Sequence, residues 1–244
     1  LLKLYNIGKK VLKEHNISDA NFDAMCILEH SLSLSRHNIL VDPNKAISVW
    51  DSNRYLDLIR RRASGEPLQY IIGKWEFMNI QLKVGPGVLI PREDTQALVE
   101  EAVSRSSFCN PRILDLCAGS GAVSLGIASC MDYNVVCSVE LYDDAIRYLN
   151  ENIRLNKFRN IRVIKDDVLN PNGIYEDKFD ILVSNPPYIR TLDIDKLQAE
   201  VKREPVTSLD GGEDGLNFYR SIAENWFQRL SSKALVAVEI GLNQ

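Results

Sequence analysis

No apolar run in this 244-residue chain approaches the length of a membrane span, and no signal-peptide pattern opens it. The five cysteines, Cys26, Cys109, Cys117, Cys130 and Cys137, are odd in number and nowhere spaced as a metal or redox pair. A reduced, cytoplasmic protein is therefore expected. Histidine is scarce. His15, His30 and His37 lie in the first segment without an acidic or cysteine partner at ligand spacing, so they read as surface or capping residues and no metal is expected. Positive charge is also short: the formal net charge of −4 argues against bulk electrostatic binding of nucleic acid and leaves room only for a local patch. What is present is ordinary for a globular protein, 45% apolar and 25% charged, in a chain long enough for one large or two modest domains.

The first seventy or so residues read as helical. Ser18-Asp19 is a candidate cap for a helix carrying Phe22, Met25, Cys26, Leu28 and Leu32. A second helix is expected from near Asp51 through Leu56, Leu58 and Ile59 into Arg60-Arg61-Arg62, ending at Gly65. Cations in a last turn suit the helix dipole; the competing reading of the three arginines is a binding patch. From Gly73 to Ile90 the pattern changes to strand-like Trp75, Phe77, Ile80, Leu82 and Val84, with Met78-Asn79 able to turn the chain and Gly85-Pro86-Gly87 breaking it. This reads as a hairpin bridging two domains. Pro91-Arg92-Glu93-Asp94-Thr95 then looks like a helix start.

A nucleoside-binding βαβ unit follows. Ile113–Leu116 is a short strand, Cys117-Ala118-Gly119-Ser120-Gly121 a tight loop, and Ala122–Ala128 a helix of small residues. Glycines let backbone approach a ligand closely, and the N–H groups opening a helix favour an anion. Asn134–Val139 is the next strand, and Glu140 at its end lies about twenty residues past the loop, where an acid can accept hydrogen bonds from ribose hydroxyls. The third glycine of the dinucleotide fingerprint is missing, because Ala122-Val123-Ser124 follows Gly121. With no pyrophosphate to cradle, the helix terminus suits an amino-acid carboxylate, and S-adenosylmethionine fits better than a dinucleotide. After a helix over Asp143–Asn156 and a strand over Ile161–Ile164, Asp167 is placed to reach the exocyclic amine of adenine, with Val168 bordering the ring; Asp166 reads as a solvated strand end.

The apolar run Phe179–Val183 reads as a buried parallel strand that ends in Ser184-Asn185-Pro186-Pro187-Tyr188. Open α/β sheets bind ligands at this end of their strands. Asn185 precedes a proline and is held extended, and the two prolines fix φ and remove N–H donors, so the backbone here is stiff. Two acceptors, the Asn185 side-chain oxygen and the Pro186 carbonyl, can grip both hydrogens of an –NH2 group, and Tyr188 offers a flat face to a planar substrate. Asn217–Leu230 is expected to be a helix with Phe218, Ile222, Trp226 and Leu230 on one face, Ala234–Ile240 a fifth strand, and the loops Glu200–Pro205 and Asp210–Gly215 a rim to the substrate entrance.

Together the runs Arg61–Gly73, Glu76-Phe77, Leu89-Ile90-Pro91-Arg92 with Thr95, Asp115 with Gly119 and Gly121, Asn185–Ile189, and Asp210-Gly211-Gly212 with Asp214-Gly215-Leu216 resemble the HemK-type family, glutamine N5-methyltransferases of peptide-chain release factors. The likeness spans the whole chain in the family's order. It implies a small helical substrate-binding domain over 1–72, a β-hairpin linker over 73–90, and a Rossmann-like class I methyltransferase domain over 91–244. It also implies S-adenosylmethionine as methyl donor, with S-adenosylhomocysteine as product, and the glutamine of a Gly-Gly-Gln tripeptide as substrate. Carried over by position, Cys117, Ala118, Gly119, Ser120, Gly121, Glu140, Asp167, Val168 and Asn185 contact the cofactor. Asn185, Pro186, Pro187 and Tyr188 hold the glutamine, and Asn185, Pro186 and Tyr188 carry the catalysis. Three positions depart from the pattern: Gln96 stands where glutamate is common, Cys117 where glycine is frequent, and Glu140 where aspartate is frequent. The class usually adds a final antiparallel strand pair, whereas this sequence stops at Gln244 and starts without methionine. A chain lacking its last strands, with its fifth strand at a sheet edge, is the expectation.

The reading is thus a monomeric release-factor methyltransferase. Others stay open at this point: methylation of a ribosomal-protein glutamine, amino-methylation of adenine or cytosine in nucleic acid, and a non-catalytic protein that keeps the pocket as a scaffold.

Overall fold

Why the expected strands form one sheet is seen in the computed structural model, which describes residues 1–132, 134–173, 175, 178–242 and 244. They make two compact units: Leu1–Gly73 with Ala199–Arg203, and Lys74–Gln198 with Glu204–Gln244. Five helices build the first unit: α1 (Leu2–Glu14), α2 (Ala20–Leu32), α3 (Arg36–Val41), α4 (Val49–Ala63) and α5 (Leu68–Ile72). Its core is formed by Leu12, Ile27, Leu28, Tyr55 and Ile59, all fully buried or nearly so.

The helix boundaries show where local chemistry decided. Asp19 does precede α2, but its side chain makes no capping bond. The second expected helix begins two residues early, at Val49, because Ser48 is the cap. Its Oγ accepts from the Asp51 N–H at 3.0 Å and donates to Asp51 Oδ2 at 2.7 Å, a reciprocal cap. The arginine run ending α4 is fully paired. Arg60 meets Asp57, Arg61 meets Glu66, and Arg62 is buried between Asp23 and Glu200, 2.6 Å from each. These partners favour the structural reading over a binding patch. Burial pushes the Asp23 carboxyl up, against the pull of Arg62.

The second unit opens with a hairpin, β1 (Lys74–Phe77) and β2 (Ile80–Lys83), whose turn places Met78 at φ +54°. Phe77, Ile80 and Leu82 face inward and join the main core with Val88, Val99 and Leu125. Asn152 receives the Lys83 N–H at 2.6 Å and returns a bond to its carbonyl at 3.0 Å. The hairpin expected as a linker is therefore packed into the second unit, while Ala199–Arg203, from within the expected catalytic domain, joins the helical unit.

After α6 (Asp94–Arg105), strands and helices alternate: β3 (Arg112–Leu116), α7 (Ala122–Cys130), β4 (Val135–Glu140), α8 (Asp143–Leu155), β5 (Ile161–Lys165) and β6 (Phe179–Ser184). A short α9 (Asn217–Ser221) and β7 (Leu230–Val238) close the unit. The five strands β3–β7 form one parallel sheet in the order β5-β4-β3-β6-β7, so the strand order reverses beside β3. Side chains alternate faces along a strand. Ile113, Val136, Ile181 and Val183 enter one core, and Leu114, Leu116, Cys137, Val139 and Leu182 enter the other. With both faces covered, the strands read as continuous apolar runs.

Two expectations are corrected after β6. The helix expected over 217–230 breaks into an α turn, a π turn (Ile222–Trp226) and a 3₁₀ turn (Phe227–Arg229). Four-residue spacing drifts around a 3.6-residue helix, and the wider π turn keeps Phe218, Ile222, Trp226 and Leu230 in the same core. The last strand starts at Leu230, not Ala234, and ends at Val238 at the edge of the sheet. Among the described residues no helix is long and apolar enough to cross a membrane, and no group of three or more His, Cys, Asp or Glu could hold a metal.

The buried Arg62 makes a test of the helical unit. Truncating one member of a buried ion pair typically costs ~3–5 kcal/mol because the other charge stays behind. Arg62→Ala should therefore lower chemical-denaturation stability by about that amount and speed amide exchange in α2 and α4. Unchanged exchange there would show that the pair carries no load.

Candidate active site

Parallel register brings the strand ends to one level. Leu116 of β3 pairs with Ser184 of β6 and with Val139 of β4, and Ser184 pairs in turn with Val238 of β7. The residues that follow or finish these strands, Cys117, Asn185, Glu140 and Glu239, therefore stand side by side. A cleft opens over the first three at the point where strand order reverses, the ligand position of open α/β sheets.

The loop after β3 lines this cleft through Cys117, Ala118, Gly119 and Ser120. Gly121 does not reach it: at φ +86° it caps α7 from beneath, where a Cβ would strike Leu149 and Leu125. Cys117 has φ +61°, which explains why glycine suits this position; burial pushes its thiol pKa up, and the charges of Glu140 and Asp115 add to the shift. Glu140 is buried and holds the loop. Its Oε2 accepts from the Gly119 N–H at 2.8 Å, and its Oε1 from those of Leu141 at 2.8 Å and Tyr142 at 3.0 Å. A carboxylate has about four acceptor positions. The expected grip on two ribose hydroxyls is thereby narrowed to about one free position.

Beyond β5 the two aspartates take roles opposite to a simple strand-end pattern. Asp166, expected to be solvated, is buried and accepts from the N–H groups of Asp167, Asn172 and Gly173 and from the Tyr175 hydroxyl. Burial raises its pKa, and these hydrogen bonds more than reverse that, leaving it below the ordinary value. Asp167 is half-buried, lines the cleft, and gives one bond position to the Leu169 N–H at 2.8 Å and one to Asn170 at 3.2 Å, so acceptor capacity remains. The Val168 carbonyl receives the Trp226 indole N–H at 2.9 Å and the Ser221 hydroxyl at 2.6 Å, which fixes this wall of the cleft.

The Asn-Pro-Pro-Tyr turn is divided between two surfaces. Asn185 and Pro187 line the cleft and Pro186 is buried. Tyr188, expected as a platform in the same cleft, instead turns its hydroxyl to Glu239 Oε1 at 3.2 Å and lines a second depression with Ile189, Arg190 and Asp214. Asn185 Nδ2 donates to Thr95 Oγ1 at 3.1 Å, and Thr95 donates to Glu239 Oε2 at 2.8 Å. The loop Asp210–Gly215, expected at the entrance rim, grips the turn from behind. Ile189 bridges Asp210, Gly211 donates to the Ile189 carbonyl at 2.8 Å, and Thr191 donates to that of Gly212 at 3.0 Å. Thr207 and Ser208 reach the cleft in its place. In the other expected rim loop Glu204 is buried, receiving the Ile90 N–H at 2.9 Å and pairing with Arg92. Sequence reasoning gave Thr95 no role and overlooked Glu239. An acid directly after an apolar strand was the available signal for the second.

Do these residues fit S-adenosylmethionine? Asp115 supplies the test. Fully buried at the end of β3, it accepts from Ser124 through Oδ2, while Oδ1 has no partner among the described residues. It lies outside the cleft lining, but the Glu140 charge reaches it, and the cleft itself carries the Glu140 and Asp167 carboxylates beside the loop, which suits a cationic ligand carrying hydroxyls and an amine. The donor set fits.

Burial pushes Asp115 up to about 7; Ser124 pulls it down and the Glu140 charge pushes it further up. An acid raised above its ordinary 3.8 supports folding fully below that value, and the support is lost as pH rises through about 7. In ligand-free protein, Asp115→Asn should therefore melt higher than the parent at pH 8 by several degrees, with the gap closing toward pH 5. Calorimetry at the two pH values checks this; an equal gap at both would refute it.

Comparisons with known proteins agree with this fold. Residues 3–73 match the PrmC N-terminal domain, and residues 93–208 match the methyltransferase small domain. The release factor glutamine methyltransferase of Thermodesulfovibrio yellowstonii is 40% identical over 226 residues, covering 91% of this chain and 80% of that protein. The protein of the same name from Geobacter sulfurreducens is 36% identical over 99% of this chain and 84% of its own length. Among solved structures, the hMettl16 catalytic domain in complex with an RNA hairpin aligns with a TM-score of 0.51 at 17% identity, over 79% of this chain and 67% of that one, which shows the class I methyltransferase fold. With helical unit, methyltransferase sheet and relatives in agreement, the chain belongs to the release factor glutamine methyltransferase family.

Proposed function

We propose that this enzyme methylates the side-chain nitrogen of the glutamine in the Gly-Gly-Gln motif of peptide chain release factors. The observation that carries the reading is that Asn185, the loop Cys117–Ser120 and Glu140 line a single cleft, so an amide grip and a nucleoside grip face the same space. The helical segment 1–72 is the part that docks the release factor, as the match to a PrmC N-terminal domain supports. The enzyme acts as a monomer in the cytoplasm.

S-adenosylmethionine, when bound, supplies an electrophilic methyl group on a sulfonium. Cys117–Ser120, Glu140, Asp167 and Val168 would hold it. The chain's remaining task is to orient a poor nucleophile, because an amide nitrogen delocalises its lone pair. The Asn185 Oδ1 and the Pro186 carbonyl accept the two N–H bonds of the substrate amide, which aims the nitrogen and places electron density on it. Pro186 and Pro187 keep the turn from yielding. The nitrogen would bond to the methyl carbon as the carbon–sulfur bond breaks, leaving S-adenosylhomocysteine, and would release one proton to solvent.

Tritiated-methyl labelling tests the substrate. Label should enter purified release factor and be absent from a Gln→Ala release factor, from ribosomal protein and from DNA; label in the Gln→Ala protein or in DNA would overturn the assignment. Asn185→Ala should lose turnover by roughly 10²–10³-fold, about 3–4 kcal/mol of barrier, while cofactor affinity stays within about tenfold. Single-turnover methylation at the parental rate would remove Asn185 from the mechanism.

A further inference from the structure

The Asn185 amide has two ends, and only its partners decide which one faces the cleft. Glu239 is pinned beside it by the backbone, since Val238 pairs with Ser184 and the Glu239 N–H donates to the Ser184 carbonyl at 2.9 Å. Thr95, buried at the start of α6, lies between the two side chains. A carboxylate only accepts, and a hydroxyl has one hydrogen. The Thr95 hydrogen goes to Glu239 Oε2, so toward Asn185 its oxygen acts as an acceptor and the group 3.1 Å away is Nδ2. Oδ1 is then the end left for a substrate N–H.

We infer that Thr95 and Glu239 are positioning residues for methyl transfer: Glu239 orients the Thr95 hydroxyl, Thr95 orients the Asn185 amide, and the order of these bonds makes Asn185 an acceptor for the substrate –NH2. The inference rests on the reading of Asn185 as the amide grip. Glu239 reaches the far end of the same turn as well, because its Oε1 accepts from Tyr188, and its own carbonyl is tied by the Tyr219 hydroxyl at 2.8 Å. Both the first and the last residue of Asn-Pro-Pro-Tyr are thus referred to one carboxylate. Burial and the neighbouring Glu239 charge push the Tyr188 hydroxyl up to about 12, so it stays protonated and donates. Were Glu239 uncharged and able to donate, the Thr95 hydrogen could turn to Oδ1, the amide could flip, and two –NH2 groups would face each other across the cleft.

Thr95→Val, Thr95→Ser, Glu239→Gln, the double variant Thr95→Val/Glu239→Gln and Asn185→Ala decide it, each as full-length enzyme with S-adenosylmethionine and release factor. Thr95→Val and Glu239→Gln should each lower kcat by about 10- to 100-fold, the scale of a misplaced reacting group. Affinity for S-adenosylhomocysteine, by calorimetry, should stay within about threefold of the parent, well short of the effect on kcat. Thr95→Ser, which keeps the hydroxyl, should restore kcat to within about threefold, and the double variant should be no slower than the worse single one because both break one relay. Parental kcat in Thr95→Val, a Thr95→Ser enzyme as slow as Thr95→Val, or multiplying losses in the double variant would overturn the relay. If Glu239→Gln does not fold, the valine and serine variants decide alone. Loss in Asn185→Ala with no loss in Thr95→Val rejects the relay and keeps the amide grip; parental turnover in Asn185→Ala rejects both.

Discussion

Hydrogen-bond register in a parallel sheet is the constraint on which this site depends. Leu116, Ser184 and Val238 are neighbours across three strands, and the side chains that follow them line the cleft or are hydrogen-bonded beside it. A slip of one residue between β6 and β7 would turn the other face of β7 toward the core and carry Glu239 away from Thr95. The two apolar cores oppose that slip, because Leu235 and Ala237 of β7 pack against one core and Leu230 and Val238 against the other, and a one-residue shift would mismatch both. The packing that stabilises the sheet therefore also sets the site's geometry at a distance from the cleft.

At this level the carboxylates divide into distinct tasks. Glu140 and Asp166 gather backbone N–H groups and so build the walls, Asp167 retains acceptor capacity toward the cleft, and Glu239 orients side chains. Among these carboxylates Asp115 alone keeps a buried oxygen without a partner among the described residues. Burial is the main cause of the rise of Asp115 and the Glu140 charge adds to it, while Glu140 and Asp167 give the cleft itself a negative lining that favours a ligand bearing positive charge. The cofactor of this family is a cation, so the Glu140 and Asp167 carboxylates lining the cleft favour its binding.

Much of this could be read locally. The apolar runs Ile113–Leu116 and Phe179–Val183, the tight loop at Gly119 and the acid at Glu140 gave their elements and the level of the site, because buried strands and nucleoside loops carry short-range patterns. What escaped was non-local. The start of β7 was missed because Leu230-Ser231-Ser232-Lys233 has no strand-like pattern of its own, and pairing of Leu230 with Phe179 supplies the missing direction. Asp166 looked solvated because the donors that surround it include Asn172, Gly173 and Tyr175, which lie further along the chain. Thr95 stands 90 residues before Asn185 and 144 before Glu239, separations at which no spacing rule operates. The family pattern marked Thr95 without a reason; the hydrogen-bond order provides one.

The region around Gly211 shows how little freedom the turn retains. A Cβ there would meet the Pro187 carbonyl oxygen and the Tyr188 Cα, each at 2.8 Å, and the Gly215 carbonyl oxygen at 2.9 Å. All three are backbone atoms, which cannot rotate away as a flexible side chain can. The glycine-rich loop thus serves as a close-fitting support for a turn already stiffened by two prolines, and Glu239 secures both its ends. This rigidity follows from the chemistry required. An amide nitrogen reacts with a methyl group only when its weak lone pair is aimed, and aiming depends on an acceptor that neither rotates nor exchanges its two ends. On the mechanism proposed above, a looser turn would still bind glutamine, through the same two hydrogen bonds averaged over more orientations, but the share of time spent in line for transfer would fall. Tight support behind the turn acts on turnover more than on binding.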